Sequence, residues 1–250
     1  MEKKMKTAAA ICLAVMTGAM TLASCHEHEP YTEYVTLSTE VGSILCADGK
    51  TVPSPAYSPD MNGVGVIVKT GGEEDNYRFI AMYREDIGQY PYAEARNTEP
   101  YVDSGASTGL LTCDGKENTA AMMAGTVYKE TRKETADSDG NALVSTEVTS
   151  LSYPAAMACV SHMTGTMPGW HLPSSGEWLA AILRSETVRR SIEKIGGRWL
   201  DESQWYQSSS QDGASGDTKD YYNTLVSPAG TVKSSLKTAS AMVRPFITIR

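Results

Sequence analysis

The chain has 250 residues, with 22 Lys and Arg against 30 Asp and Glu, and a formal net charge of −8 at pH 7. An acidic chain without a basic cluster argues against a nucleic-acid partner, because binding phosphates requires a positive surface. The length suits one sizeable domain, and five cysteines in a chain of this size exclude a small fold held together by disulfides.

The first 24 residues have the layout of an export signal. Three lysines precede a mostly apolar run, Ala8 to Ala23, which is shorter than the ~20 residues of a membrane-spanning helix. The run ends in Leu22-Ala-Ser-Cys25, which resembles a bacterial lipobox. That resemblance implies cleavage before Cys25 and attachment of a diacylglyceryl group and fatty acids such as palmitate to its thiol. The alternative is an ordinary secretory signal followed by an incidental cysteine.

We therefore predict three regions: a signal peptide over residues 1–24, a flexible tether over 25–40, and one domain over 41–250. The mature protein would be held by the lipid on Cys25 in the outer membrane or at the cell surface. Several acyl chains are needed for stable anchoring, since one alone binds a bilayer only marginally.

Strand signals dominate the first half of the predicted domain. Ser43–Ala47, Gly63–Val68 and Arg78–Tyr83 are short runs rich in apolar or β-branched residues, as in buried strands. Two further β-branched runs flank the turn-forming segment Asp137-Ser-Asp-Gly-Asn141. They predict a β-hairpin over about residues 125–150 that projects from the domain.

The acidic residues of that turn also alternate as calcium ligands do. An EF-hand loop, however, carries Gly at its sixth place and Glu at its twelfth. Counted from Asp137, Gly140 stands fourth and Val148 stands twelfth. Turn chemistry is therefore the favoured interpretation, and no metal is predicted here.

Helical spacing appears later in the chain. Apolar residues in Ser152–Met163 recur at helical intervals. Ser174 followed by Glu177 matches a capping box and predicts a second helix over about 174–185. Residues 187–195 predict one or two further turns. From Trp199 onward the sequence predicts polar loops with short strand-like pieces.

Three segments occur in an order that resembles one family. They are Asp114–Thr119, which is predicted as a loop because it is rich in turn residues, Pro168–Trp178 and Ala241–Phe246, with Trp205–Ser210 before the last. Together they resemble the C-type-lectin-like domains of Bacteroidetes surface lipoproteins, akin to the Fibrobacter-type major paralogous domain. The resemblance spans about residues 41–250. It implies an α+β, C-type-lectin-like fold with two main helices, short mixed or antiparallel strands, long loops and the inserted hairpin.

Arg244, directly before Pro245, is expected to pair with a carboxylate and so fix the last strand to the second helix. Glu177 is the candidate partner. His171 lies inside the folding motif and is expected to be a structural histidine.

The Leu-Pro-x-x-x-Glu-Trp phrase ending at Trp178 also occurs in the formylglycine-generating enzymes, which are similar in fold and bind copper through cysteines after this motif. Here no cysteine follows Cys159. His162 and His171 belong to no recognisable nucleophile arrangement, and no Gly-x-Ser-x-Gly elbow occurs. We therefore predict a protein that is not an enzyme and has no cofactor or metal. Cys46, Cys113 and Cys159 are an odd set and form at most one disulfide.

Since the sequence argues against an enzyme, we predict that the protein functions in the recognition of a ligand. Residues 199–235 combine aromatic residues with Ser, Gly and Asp, a composition that suits glycan or protein binding. We predict ligand contacts at four residues of this region and place Trp205 in the core. The four predicted contacts are Asp217, Asp220, Tyr221 and Tyr222. The family's calcium-dependent sugar motifs are absent, so calcium-dependent lectin activity is not expected. The alternative function is a structural or accessory subunit of a fimbria-like surface assembly.

Overall fold

The computed structural model describes residues 38–164, 167–213 and 218–250. The predicted signal peptide, the predicted lipidation site Cys25 and nearly all of the predicted tether lie outside the described residues, as does Asp217. In the part of the chain that is described, no helix has both the length and the apolarity to cross a bilayer.

The largest sheet is antiparallel throughout. It contains β1 (Ile44–Cys46), β2 (Thr51–Val52), β3 (Gly63–Thr70), β4 (Phe79–Tyr83), β9 (Trp170–His171) and β14 (Phe246–Ile249). Its strand order is β2-β1-β3-β4-β14-β9. The centre of β3 is a run of β-branched and glycine residues that is buried on both faces, as its near-continuous apolar sequence predicts.

The second sheet is mixed. It contains β5 (Gly88–Pro91), β10 (Tyr206–Gln211), β11 (Tyr222–Val226), β12 (Val232–Leu236) and β13 (Ser240–Val243). Its order is β12-β11-β10-β13-β5, and only β10 and β13 run parallel.

The third sheet is the predicted hairpin with a short companion strand. It contains β6 (Glu94–Arg96), β7 (Val127–Ala136) and β8 (Ala142–Ser152), in the order β6-β8-β7. β7 and β8 pair from Val127 with Leu151 to Ala136 with Ala142, and every residue of β7 is exposed. The hairpin prediction is therefore confirmed, and β7 is an edge strand.

Five helices lie in the described residues: α1 (Gly115–Gly125), α2 (Pro154–Ser161), α3 (Ser175–Leu183), α4 (Ser185–Lys194) and α5 (Thr218–Tyr221). Two 3-10 turns span Ser54–Ala56 and Pro59–Met61. The helices predicted over 152–163, 174–185 and 187–195 correspond to α2, α3 and α4. The segment predicted as a loop at Asp114–Thr119 is instead the first part of α1.

The predicted fold class is wrong. The described residues form three sheets of 14 strands, with 36% of them in strands and only 23% in helices, and so are more β-rich than an α+β C-type-lectin-like fold with two main helices. The main physical reason lies in residues 199–250, where the sequence predicts polar loops with only short strand-like pieces. Those residues form β10 to β14, and several of these strands lack the apolar alternation that identifies a strand.

Trp178 of α3 is fully buried and packs between residues of the two larger sheets. Its ring centroid lies 4.9 Å from that of Phe246 on β14 and 5.1 Å from that of Tyr206 on β10. Its indole N–H donates to the carbonyl of Gln207 at 2.9 Å. An aromatic side chain buried in this way contributes about 2–3 kcal/mol from apolar burial, and its polar atom is satisfied.

The capping box at the start of α3 is confirmed. The Ser174 hydroxyl accepts from the Glu177 backbone N–H at 3.3 Å, and the Glu177 carboxylate accepts from the Ser174 backbone N–H at 3.0 Å. His171 Nε2 lies 3.2 Å from the same carboxylate. Glu177 is therefore not the partner of Arg244, which instead pairs with Asp86 at 2.6 Å.

β10 is a fully buried strand made almost entirely of polar residues. Residues 207–211 are all 0% exposed. The Ser208 hydroxyl lies 3.0 Å from that of Ser175 on α3, and the Asn118 amide of α1 donates to the Ser209 hydroxyl at 3.2 Å. Such a strand is tolerated in a core because its side chains find hydrogen-bond partners there.

Lys237, between β12 and β13, is also 0% exposed. Its ammonium group donates to the carbonyl of Val102 at 2.6 Å and to the side-chain oxygen of Gln211 at 2.7 Å. Burial disfavours the charged form and lowers the pKa of Lys237 to about 8, against the opposing attraction of Asp103 and Asp220.

Candidate functional site

A surface cleft of about 670 Å³ lies where the start of α4, the segment before β10 and the turn after β11 meet. We call it the tryptophan cleft. Two tryptophans, six polar side chains and two small apolar turn residues line it: Ser185, Glu186, Arg189, Trp199, Glu202, Gln204, Trp205, Ser227, Pro228 and Ala229.

Backbone hydrogen bonds hold the segments of the cleft in place. The carbonyl of Trp205 accepts from the N–H of Met242 on β13 at 2.9 Å. The turn after β11 is closed by two bonds of 2.9 Å, from Ser227 N–H to Thr231 and from Gly230 N–H to Ser227. Gly230 has φ +82°, a left-handed conformation that favours glycine at this turn.

The chain contains four tryptophans, and they divide into two pairs. Trp170 and Trp178 are buried in the core, whereas Trp199 and Trp205 are half-buried and line the cleft. The prediction that Trp205 lies in the core is therefore wrong. Trp205 directly precedes β10, and the aromatic residue that enters the core at this point is Tyr206, the first residue of the strand.

A lysine holds one side of the Trp205 indole. The ammonium nitrogen of Lys233 on β12 lies 3.9 Å from the ring centroid. A cation–π contact at an exposed site is worth about 0.5–1 kcal/mol. It restricts the indole and covers one of its faces, so a ligand would meet the opposite face or the edge.

The polar groups of the cleft supply both donors and acceptors. Glu202 and Glu186 are exposed carboxylates, and Glu186 forms an ion pair with Arg190. Arg189 donates to Glu193 at 2.8 Å, and this carboxylate raises the pKa of the Arg189 guanidinium. The side-chain oxygen of Gln204 accepts from Gln89 at 3.2 Å. Such groups can exchange hydrogen bonds with a polar ligand but form no nucleophile-and-base pair.

The predicted contacts Tyr221 and Tyr222 lie elsewhere. They are 46% and 36% exposed, and Tyr221 packs against Tyr101 with ring centroids 5.2 Å apart. Asp220, on α5, is half-buried. Tyr221 ends α5 and Tyr222 begins β11, whereas the cleft's turn residues, Ser227–Ala229, follow the end of that strand. The strand has five residues, so Tyr222 and Ser227 are separated by about 17 Å.

The two histidines of the described residues, His162 and His171, lie outside the cleft. The His171–Glu177 pair is buried, at 2% and 0% side-chain exposure. The His162 ring lies 4.4 Å from that of Tyr83, and burial lowers the pKa of its imidazole. Within the described ranges, no three His, Cys, Asp or Glu residues are grouped so that they could hold a metal ion.

The three cysteines of the domain are free thiols. Cys46 and Cys159 are buried, and burial raises the pKa of both thiols. Cys113 is half-buried and accepts from the Lys69 ammonium group at 3.3 Å. Burial also raises the pKa of Cys113, which leaves it a poor nucleophile at neutral pH.

Seven of the ten cleft residues lie within the predicted binding region 199–235, but sequence reasoning named none of them as a contact, because the cleft is assembled from three separated stretches of chain. The available signal was the pair of tryptophans in a polar segment without helical or strand periodicity. No protein family matches the chain, and neither the curated proteins nor the solved structures include a match.

Proposed function

We propose that the mature protein is a non-catalytic recognition module, lipid-anchored through Cys25 in the outer membrane or at the cell surface, that binds a glycan in the tryptophan cleft. One observation carries the glycan assignment. Trp199 and Trp205 are both half-buried in one cavity, beside carboxylate, amide and guanidinium groups.

This combination matches the chemistry of a sugar. A pyranose ring has apolar C–H faces, which pack on an indole, and hydroxyl edges, which exchange hydrogen bonds with carboxylates and amides. Binding sites for small ligands likewise combine apolar walls with a few placed polar groups, and their volumes are about 300–1,000 Å³. The cleft volume of about 670 Å³ falls in that range.

The test is a glycan array followed by calorimetric titration of each bound glycan. Trp205→Ala is expected to weaken binding ~10- to 100-fold, as removal of an aromatic anchor does, with little change in melting temperature because the side chain is only half-buried.

Tyr222→Ala is the matched control, since it removes an exposed aromatic residue at the other end of β11. It is expected to leave binding unchanged. If Tyr221→Ala and Tyr222→Ala weaken binding while Trp205→Ala does not, the site is the one predicted from sequence rather than the cleft. Turnover of a bound glycan would refute the non-catalytic assignment.

The hairpin favours a second function, that of a structural or accessory subunit in a fimbria-like assembly. An exposed edge strand such as β7 offers unpaired backbone groups to a neighbouring chain. Electron microscopy of the mature protein would show fibres in this case. Replacing residues 129–149 by two glycines should then abolish the fibres while leaving glycan binding intact.

A further inference from the structure

A second cavity, of about 420 Å³, adjoins the tryptophan cleft. We call it the arginine cavity. Its walls include Asp86, Arg198, Asp201 and Arg244, and Trp199 lines both cavities. The two cavities therefore share one indole, and a ligand long enough to pass it would contact both.

Arg244 supplies an unused hydrogen-bond donor in this wall. Its side chain is 0% exposed, and it donates from Nε to Asp86 at 2.6 Å and from Nη1 to the carbonyl of Arg198 at 2.8 Å. Its Nη2 is buried and has no hydrogen-bond partner among the described residues. Buried polar groups in folded proteins are nearly always paired with protein or ordered water, so this guanidinium N–H beside a cavity calls for an acceptor there, either a water molecule or a ligand oxygen that replaces it.

Acceptors for ligand hydroxyl groups stand in the same wall. Asp201 is exposed, and its bonds to the backbone and side chain of Ser203 both use Oδ1. Its Oδ2 can therefore accept from a ligand. Asp86 is held by Arg244 and by the Tyr206 hydroxyl, 3.3 Å from its Oδ2, so its position is fixed.

Charge restricts the class of ligand. Five carboxylates and three guanidinium groups line the two cavities: Glu85, Asp86, Glu186, Asp201 and Glu202, and Arg189, Arg198 and Arg244. When the ion-pair partners Arg190 and Glu193 and the Lys233 ammonium group over Trp205 are included, six carboxylates stand against five cations. An acidic sugar would bring a further negative charge to a surface that is already negative by one, which is unfavourable. A neutral sugar hydroxyl can instead accept from the guanidinium and donate to the carboxylate.

We infer that the arginine cavity is a second subsite of the tryptophan cleft, and that the ligand is a neutral glycan of at least two linked sugars that crosses Trp199. This inference rests on the proposed function and adds the length and charge of the ligand to it.

The experiment is calorimetric titration with gluco-, manno- and xylo-oligosaccharides of one to six units, and with oligogalacturonides of matched length as acidic probes. The expected result is affinity for at least one neutral series that rises ~10-fold or more from the monosaccharide to the longer members, with weaker binding of the acidic series.

Two variants separate the subsites. Asp201→Asn keeps the turn acceptor for Ser203 but removes the charge, and Arg244→Lys keeps a cation near Asp86 but removes the Nη2 donor. Each is expected to reduce affinity for the longer members ~3- to 10-fold and to leave the monosaccharide unaffected. Trp205→Ala should weaken every member. If Arg244→Lys fails to fold, Asp201→Asn alone decides the matter.

The possible failures are distinguishable. Binding that depends on Trp205 but is independent of chain length and of both variants would overturn the second subsite and keep the proposed function. Preference for the acidic series would overturn the charge argument. Binding to none of the neutral series, or binding indifferent to Trp205→Ala, would overturn the inference and the tryptophan cleft together.

Discussion

Lys237 gives a quantitative test of the fold, because its burial predicts a pH-dependent stability. The ordinary pKa of lysine is 10.5, and burial lowers that of Lys237 to about 8. Between these two values the folded protein has released the proton while the unfolded chain still binds it. The unfolded chain therefore binds more protons in this window, and the free energy of unfolding rises with pH.

The magnitude follows from the gap between the two pKa values. Each unit of difference is worth about 1.4 kcal/mol. From about pH 7.5 to about pH 9.5, the lysine contribution to the free energy of unfolding should rise by about 2 kcal/mol. Lys237→Met removes this titration and retains a long side chain. The stability of the wild type minus that of Lys237→Met should thus increase by that amount across the interval.

The assay is urea denaturation of both proteins at intervals of half a pH unit. The difference in the free energy of unfolding between the two proteins cancels the contributions of other titrating groups. The hydrogen bonds lost in Lys237→Met add a constant offset, which does not change the slope of this difference with pH. Lys50→Met is the control, since Lys50 has an exposed side chain paired only with Asp48. Lys50→Met retains Lys237, so its stability should still rise across the interval. If the difference between the wild type and Lys237→Met does not change with pH, the argument that burial governs Lys237 is refuted.

Three further perturbations test the capping box and the anchor. Ser174→Ala removes the capping hydroxyl of α3 and should lower the free energy of unfolding by about 1–2 kcal/mol, measured by urea denaturation; an unchanged midpoint would contradict the capping role. Gly115→Ala places a methyl carbon 2.2 Å from the Glu177 carboxylate and should cost at least ~2 kcal/mol, read from the melting temperature. Cys25→Ala should leave unprocessed or soluble precursor in cell fractionation, and normal processing with normal membrane association would count against lipidation.

Local signals in the sequence predicted several elements well. The Ser174 and Glu177 pair predicted the start of α3, and the β-branched arms around residues 137–141 predicted the β7–β8 hairpin. These features depend on neighbouring residues alone, so a short window contains the information. The helix α1 was missed because its residues are mostly small or polar, with no apolar stripe to mark a buried face.

Local sequence signals could not predict the fold class or the cleft. The glutamines and serines of β10 predict a loop, and this segment is a core strand only because side chains on α1, α3 and β11 form hydrogen bonds with it. Arg244 was expected to pair with a carboxylate and does, but the choice of Asp86 over Glu177 depends on three-dimensional placement. Trp199 and Trp205 are visible as residues, yet their shared cavity requires the turn after β11 and the start of α4.

The polar character of β10 has a consequence for how the domain can fold. An apolar core strand can slip by two residues along its neighbour and still bury apolar surface. A slip of β10 would instead separate Ser208 from Ser175 and Ser209 from Asn118, and each orphaned buried group would cost about 1–3 kcal/mol. Misaligned pairings are thereby penalised several times over. The side chains of β10 can give up their hydrogen bonds to water only when α1 and α3 are already in place to replace them. We therefore expect desolvation of this strand to occur late in folding and to be incomplete in chains whose helices are misplaced.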